Sequence, residues 1–229
     1  MKYLKQIIIG VMVFLFYYFF SDIAFFLFDL FKFDYMNASR FIKIILIYSL
    51  ELIPLITLVL IYKDDLKNDL KNYKENFIDN LDKYVKLYML ALILMTLTDT
   101  IITAITGKEL SNNEQAVRSI ADTLPIYSAL SVCICAPIVE ELIYRKTIKN
   151  IFINNTLAII ASGLIFGLAH VIGTYQSLQD LLYIIPYGSF GAVFMYIFID
   201  SKNIWSTITI HFMHNTILLL LYFVRKLWN

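Results

Sequence analysis

Apolar stretches recur along the whole chain, and each is long enough to cross a lipid bilayer. Crossing roughly 30 Å of hydrocarbon takes about 20 residues in a helix. Of the 229 residues, 59% are hydrophobic and only 16% carry a charge. So few charged side chains could not cover the surface of a water-soluble protein. The sequence therefore predicts an all-α fold, a polytopic helix bundle embedded in the lipid bilayer.

Hydropathy predicts about seven transmembrane helices. The first follows two lysines, but it is too long for the apolar core of a signal peptide and lacks a clean cleavage site, so we expect it to stay uncleaved. No internal repeat is visible, although inverted-repeat transporters usually show one. The predicted spans lie near residues 7–31, 41–62, 84–106, 125–151, 156–173, 180–200 and 203–225.

The chain divides into two regions of different character. Residues 1–123 are expected to form an N-terminal transmembrane region with three spans and a polar segment at 63–83. Apolar residues recur in that segment at helical spacing, which favours an amphipathic helix along the membrane surface or a solvated linker helix. Residues 124–225 contain the motifs that carry chemistry.

The placement of lysine and arginine favours a cytoplasmic N-terminus. In that orientation more of these residues lie on the inner side than on the outer side, as the positive-inside rule requires. We therefore expect a multi-pass protein of the bacterial plasma membrane. The formal net charge of +1 gives no reason to expect a nucleic-acid partner.

Several polar side chains interrupt the predicted spans of the first half. A charge at the bilayer centre costs at least about 2.5–3.5 kcal/mol on insertion scales, so each one needs an explanation. Asp22, Glu51 and Asp99 share no spacing, and we interpret them as structural hydrogen-bonding groups or as side chains that extend to the interface. Cys133 and Cys135 point apart on a helix, which predicts packing residues rather than a disulfide or a metal pair.

Span four contains two adjacent glutamates in the sequence CAPIVEELIYRK. Arg145 lies four residues after Glu141, on the same helical face and in the order that favours an ion pair. Glu140 points about 100° away and has no partner nearby in the sequence. An unpaired carboxylate in a desolvated site is a candidate general base. Pro137 is expected to kink the helix and to free a backbone carbonyl. Taken alone, this string fits two interpretations equally well. Glu140 is a general base, or Glu141 and Arg145 form a structural ion pair and Glu140 has no role.

Span five contains one histidine, His170, in the sequence FGLAH. A single membrane histidine more often joins helices by a hydrogen bond than takes part in catalysis. Its depth changes that interpretation. Glu140 and His170 lie equally far from the turn at Asn155, and antiparallel helices bring such residues to the same membrane level. We therefore predict that the two side chains meet.

The last span carries HFMHN, with His211 and Asn215 one turn apart on one face. Counted from the preceding turn, these two residues lie roughly 13–20 Å deep, whereas Glu140 and His170 lie roughly 22 Å from their own turn. This arithmetic predicts that Asn215 matches the level of Glu140 better than His211 does. His214 could join the same face, but we interpret it as a packing residue.

Together these motifs resemble the signature motifs of the CPBP family, the CAAX-protease and bacteriocin-processing membrane proteins. APIVEELIYR, FGLAH and HFMHN match the family patterns EExxxR, FxxxH and HxxxN/D in order, over about residues 124–222. One departure is Lys146, where relatives often have glycine. The resemblance implies a CPBP-like protease core at 124–225, with a polar catalytic cavity among the C-terminal four helices. Glu141 and Arg145 would then hold the geometry of helix four as a structural ion pair.

The same resemblance implies an intramembrane endopeptidase that cleaves a peptide or a membrane-anchored protein near the cytoplasmic face. Glu140 and His170 would activate a water molecule, and His211 and Asn215 would bind the oxyanion. The chemistry of these residue types agrees, because peptide hydrolysis needs a general base and hydrogen-bond donors aimed at the carbonyl oxygen.

A catalytic zinc ion is the competing chemistry. One carboxylate and two histidines suit zinc, and the ligands would be Glu140, His170 and His211. The family has often been described as metalloproteases for this reason. We favour a mechanism without a metal or another cofactor, because Asn215 is a poor zinc ligand and the chain has no HExxH string.

Two other classes of function also fit parts of the sequence. A non-catalytic membrane protein, such as a binding or bacteriocin-immunity protein, could use the same fold. A proton-coupled transporter would also bury glutamate and histidine, but it should show broken helices and repeats. The sequence indicates neither the substrate, prenylated or not, nor the oligomeric state.

Overall fold

The computed structural model describes residues 2–75 and 77–228, with the exception of the side chains of Lys2 and Asn80. Within these ranges the regular elements are helices, and no strand is present. Seven helices are long and apolar enough to cross a membrane. The predicted fold class, an all-α polytopic bundle of about seven transmembrane helices, is confirmed.

The helices follow one another with short connections. A 3₁₀ turn at Leu178–Tyr183 leads into α8, and α3 and α5 are the two short polar helices. The predicted spans agree with the membrane helices to within a few residues, except that α1 begins five residues and α4 seven residues earlier than predicted, because the first turns of both helices contain polar residues. The helices are α1 (Lys2–Leu30), α2 (Arg40–Ile61), α3 (Lys63–Glu75), α4 (Phe77–Thr106), α5 (Asn112–Thr123), α6 (Pro125–Ile151), α7 (Asn155–Ile172), α8 (Ile184–Ser201) and α9 (Ile204–Trp228).

Helix α6 contains two π-helical segments, Ser131–Cys135 and Leu142–Thr147. Pro137 follows the first. In a π-helix the N–H of each residue donates to the carbonyl five residues earlier, which for residue 137 is that of Val132. Pro137 has no N–H, so this carbonyl receives no hydrogen bond from its own helix. The side chain of Asn215 on α9 donates to this carbonyl instead, with Nδ2 and O 2.8 Å apart. The prediction that Pro137 frees a backbone carbonyl is thereby confirmed.

Helices α7 and α8 approach each other closely because glycines line their contact. A Cβ atom at Gly167 would lie 2.6 Å from the carbonyl oxygen of Ile184, and one at Gly163 would lie 2.8 Å from that of Gly188. Small residues at such interfaces let helix backbones pack together in membranes. This contact fixes the end of α7, where His170 lies.

The two ends of the bundle can be identified from contacts between helices. The hydroxyl of Tyr3, at the start of α1, donates to the carbonyl of Ile151 at the end of α6, with 3.2 Å between the oxygens. At the opposite end, Lys226 of α9 forms an ion pair of 2.6 Å with Asp122 of α5. We call these ends the N-terminal face and the α5 face.

The polar segment predicted at 63–83 forms α3 and the first turns of α4. Helix α3 packs over the start of α9 at the N-terminal face. The carbonyl of Asp69 accepts a hydrogen bond from the side chain of Asn203 (2.7 Å), and its carboxylate accepts the N–H of Ile204 (3.0 Å). A carboxylate is favourable at a helix N-terminus. Helix α3 is amphipathic, with Leu66 buried against the bundle, and its position along the membrane surface stays a prediction.

Candidate active site

A buried ion pair forms the base of the site. The side chains of Glu141 and Arg145 have no solvent exposure, and Nε of Arg145 lies 2.9 Å from Oε2 of Glu141. Nη2 donates to Oε1 at 3.2 Å, so the predicted pair is present and is bidentate. Nη1 donates to the hydroxyl of Ser162 at 2.7 Å. The guanidinium carbon lies 4.8 Å from the ring centre of Phe166 and 5.6 Å from that of Phe194. The guanidinium is therefore held both by hydrogen bonds and by aromatic rings.

Glu141 has a second partner that the sequence did not suggest. Nδ1 of His211 lies 2.9 Å from Oε1 of Glu141. A carboxylate at this position fixes the proton on Nδ1 and orients the ring. The other ring nitrogen, Nε2, then faces Glu140.

The carboxylate of Glu140 lies between two imidazole rings. Its Oε2 atom is 3.9 Å from Nε2 of His170 and 3.7 Å from Nε2 of His211. Both distances exceed a hydrogen bond, and this buried oxygen has no hydrogen-bond partner within the described part of the chain. It is therefore an acceptor that can receive a hydrogen bond from water or substrate. The prediction that Glu140 and His170 meet is confirmed.

His170 is held by its own helix and by α8. Its Nδ1 lies 2.9 Å from the carbonyl oxygen of Phe166, which places the proton on Nδ1 and leaves Nε2 as an acceptor. The ring stacks on Tyr187, with centroids 4.7 Å apart and an interplanar angle of 26°. The hydroxyl of Tyr187 lies 2.7 Å from that of Ser111, just before α5. The loop that precedes α5 thus helps to fix the histidine.

Asn215 lies on the same side of the bundle but at another level. Its amide nitrogen bonds the backbone of α6, whereas His211 is the residue of α9 that lies beside Glu140. The prediction that Asn215 matches the level of Glu140 is therefore wrong. The reason is the position of the turn before α9. Asn203 in that turn is buried beneath α3, so α9 begins deeper in the bundle than α7, which begins at the exposed Asn155.

One cavity of about 210 Å³, which we call the catalytic cavity, brings these groups together. It lies among α6, α7, α8 and α9, and it extends toward the α5 face along Glu114 and Arg118. The polar cavity predicted among the C-terminal four helices is present, and α4 and α5 also contribute to its wall. The predicted site residues that line it are Glu140, His170, His211 and Asn215.

The candidate zinc ligands Glu140, His170 and His211 converge, but more loosely than in a metal site. Ligands of one tetrahedral zinc ion lie roughly 3.3 Å from each other. The two distances from Oε2 of Glu140 are longer. Among the residues that the structure describes, no three His, Cys, Asp or Glu side chains form a group that could hold a metal ion. As arranged, the residues do not fit zinc.

Of the remaining polar residues singled out in the sequence, His214 also lines the catalytic cavity, and the others lie outside it. His214 packs edge-on against Tyr88, with its Nδ1 3.2 Å from the tyrosine hydroxyl, which agrees with a packing role. Asp22 is exposed on α1, and Asp99 lines a separate cavity near α5. Glu51 lines a cavity between α1, α2 and α6. Both cysteines are free.

Comparisons with known proteins agree with the three motifs. Residues 122–217 match the family model of Rce1-like type II CAAX prenyl endopeptidases. Over 118 residues the chain is 31% identical to a Bacillus subtilis (strain 168) protein named "Putative membrane peptidase YdiL", and the match covers 50% of this chain and 44% of that protein. No solved structure matches the chain. With the motifs in order and the site assembled, the C-terminal half of this chain is similar to the Rce1-like type II CAAX prenyl endopeptidases, and the chain spans less than half the length of the curated relative that it matches.

Proposed function

We propose that this protein is an intramembrane endopeptidase that hydrolyses a peptide bond in a peptide or a membrane-anchored protein. The observation that supports this most is the carboxylate of Glu140 facing Nε2 of both His170 and His211 in one cavity inside the bundle. The similarity of residues 122–217 to the Rce1-like endopeptidase family model supports the same reaction class.

The proposed reaction begins with a water molecule held by Glu140 and His170. Hydrogen bonds of about 2.8 Å from one water oxygen can reach both Oε2 of Glu140 and Nε2 of His170, given the 3.9 Å between these atoms. Glu140 acts as the general base and takes one proton from this water. The water oxygen then attacks the carbonyl carbon.

His211 and Asn215 are the proposed donors to the oxyanion. Because Nδ1 of His211 already donates to Glu141, its Nε2 can donate only when the ring is protonated. Asn215 uses one N–H for the carbonyl of Val132 and has a second one to offer. Donors placed in a water-poor cavity stabilise a developing oxyanion strongly.

We further propose that no metal takes part. The purified protein should keep its activity after incubation with a strong zinc chelator and dialysis. A loss of activity that added Zn²⁺ restores would contradict this part of the proposal and would favour Glu140, His170 and His211 as ligands.

The direction in which the catalytic cavity extends suggests from which side of the membrane the substrate enters. It extends toward the α5 face, whereas α3, with its four lysines, lies at the N-terminal face. This arrangement favours access from the side opposite the N-terminal face, so it does not support a cytoplasmic N-terminus together with cleavage near the cytoplasmic face. We propose that the lysine-rich face is cytoplasmic and that the substrate reaches the cavity from the outer side of the bacterial plasma membrane.

Comparing the peptides of membranes that hold the native protein with those that hold Glu140→Gln tests the proposed function. Peptides that disappear in the variant, at equal protein level, identify the substrate and support catalysis. Identical peptide profiles, with any cellular effect of the protein fully retained by the variant, would support a non-catalytic binding or immunity protein instead.

A further inference from the structure

A second cavity, of about 340 Å³, lies on the other side of Glu140 between α1, α2 and α6. We call it the α1–α2 cavity. Tyr17, Tyr18 and Glu51 contribute polar groups to its wall. Glu140 and Ala136 line both this cavity and the catalytic cavity, so these residues of α6 lie between the two.

The two cavities differ in the groups that they offer to a substrate. His170, His211 and Asn215 line the catalytic cavity, and none of them is among the described residues around the α1–α2 cavity. The carbonyl oxygen of a scissile bond must face the oxyanion donors, which lie on the catalytic side. Glu140 lines both cavities, so a bond whose carbonyl faces the oxyanion donors can have its nitrogen on the side of the α1–α2 cavity.

We propose that the α1–α2 cavity binds the amine side of the scissile bond; this rests on the proposed peptidase function. In that reaction the water oxygen bonds to the carbonyl carbon and the C–N bond breaks. The proton that Glu140 takes from water passes to the nitrogen, which yields a primary amine and a carboxylic acid. Proton transfer from the acid to the amine then gives a carboxylate and an ammonium group. The ligand of the cavity is this primary ammonium.

The α1–α2 cavity offers three kinds of acceptor for an ammonium group, which has three donors and no acceptor. They are the carboxylate of Glu51, the hydroxyls of Tyr17 and Tyr18, and a backbone carbonyl of α2. The carbonyl belongs to Leu50, because Pro54 four residues later has no N–H to donate to it. Both residues line the cavity.

The tyrosine hydroxyls are held in place by the core. Tyr144, which is buried, lies one turn after Glu140 on α6. Its hydroxyl is 3.3 Å from that of Tyr18, and its ring meets that of Tyr17 edge-on with centroids 6.5 Å apart. Helix α1 is therefore positioned against the helix that carries Glu140.

Cys135 lines the α1–α2 cavity and provides a probe that does not depend on peptidase activity. In a Cys133→Ala background it is the single thiol of the chain. The rate of labelling of Cys135 would be measured with a cationic and with an anionic methanethiosulfonate reagent. Each rate would be divided by the rate at which the same reagent reacts with a small free thiol in solution. A carboxylate-lined cleft concentrates cations by about tenfold or more, so we expect the cationic reagent to be favoured by that factor.

The matched variants are Glu51→Gln and Asp99→Asn, both of which remove a membrane carboxylate. The preference for the cationic reagent should fall severalfold in Glu51→Gln and stay unchanged in Asp99→Asn, since Asp99 lines another cavity. Glycinamide, a small primary ammonium, should slow the labelling of Cys135 by a neutral maleimide, whereas N-acetylglycinamide should not.

An unreactive Cys135, an unchanged preference in Glu51→Gln, or equal protection by both amides would overturn the proposal. Because labelling needs no hydrolysis, these outcomes are distinct from a failure of the proposed peptidase function, which the peptide profiles reveal. The labelling results could be as expected while the peptide profiles show no cleavage. The cavity would then bind an ammonium group unconnected with cleavage, and that result would also overturn the proposal.

Discussion

His211 and Glu141 share a hydrogen bond of 2.9 Å inside the bundle, and this contact joins the structural and the reactive parts of the site. Successive residues of a helix point about 100° apart, so the two adjacent glutamates of α6 face different surroundings. Glu141 turns into the core, where it contacts Arg145 and His211. Glu140 turns into the cavity, where it faces Nε2 of the same histidine. One imidazole therefore connects the two carboxylates.

Removing the arginine of the buried pair should destabilise the protein strongly. Arg145→Ala leaves Glu141 charged and short of partners, and breaking a buried pair costs about 3–5 kcal/mol. For a chain of this size that is a drop in melting temperature of roughly 10 °C. Lys86→Ala is the matched control, because it breaks an exposed i,i+4 pair with Asp82. Surface pairs contribute only about 0–1 kcal/mol. Melting curves in detergent that do not distinguish the two variants would contradict this prediction.

Glu140→Gln should abolish cleavage and leave stability nearly unchanged. The substitution keeps the shape of the side chain and removes only the group that accepts a proton, which is worth about 10²–10⁴ in rate. The buried Oε2 of Glu140 has no hydrogen-bond partner in the described residues, so no structural bond is lost. Glu141→Gln is the paired comparison and should lower the melting temperature, since it disrupts the bonds to Arg145 and His211. If Glu140→Gln lowered the melting temperature strongly and Glu141→Gln left it unchanged, the roles assigned to the two glutamates would have to be reversed.

The sequence predicted the membrane fold, the buried pair and the meeting of Glu140 with His170, because each follows from a regular helix. It failed where the geometry is not local. The level of Asn215 was predicted by counting residues from the turn before α9. That count was wrong because α3 covers the turn, and a count along one helix cannot include the effect of a neighbouring helix. The bond between His211 and Glu141 joins residues 70 positions apart. Helix α5 did have a local signal, since Ser111 is followed three residues later by Glu114, whose N–H it caps.

Ser162 is a residue that no motif indicated, and we expect its hydroxyl to contribute to stability. It accepts from Nη1 of Arg145 at 2.7 Å and donates to the carbonyl of Tyr144 at 2.7 Å. Hydrogen bonds to charged groups contribute about 1.5–3 kcal/mol. Ser162→Ala should lower the melting temperature accordingly, whereas Ser189→Ala, which removes only a bond to the carbonyl of Pro186 in its own helix, should have a smaller effect. Equal effects of the two variants would contradict the assignment.

Single-cysteine labelling can determine which face of the bundle lies outside the cell. In a chain without its two native cysteines, Glu109→Cys marks the loop before α5 and Lys67→Cys marks α3. An impermeant maleimide added to intact cells should label Glu109→Cys and should leave Lys67→Cys unlabelled until the membrane is opened. The reverse pattern would place the catalytic cavity toward the cytoplasm and would overturn the proposed outer access.

The contact between α7 and α8 offers a test of how closely the position of His170 depends on backbone packing. A Cβ added at Gly167 would lie 2.6 Å from the carbonyl oxygen of Ile184, so the two helices must move apart to accept alanine. Overpacking of this kind costs about 1–3 kcal/mol. His170 lies three residues later, and a displacement near 1 Å of a reacting group costs about 10²-fold in rate. Gly167→Ala should therefore lose more activity than its stability explains. Gly173→Ala is the matched control, because a Cβ there meets nothing within 4 Å. If Gly167→Ala kept full activity while melting earlier, the close contact would serve stability alone.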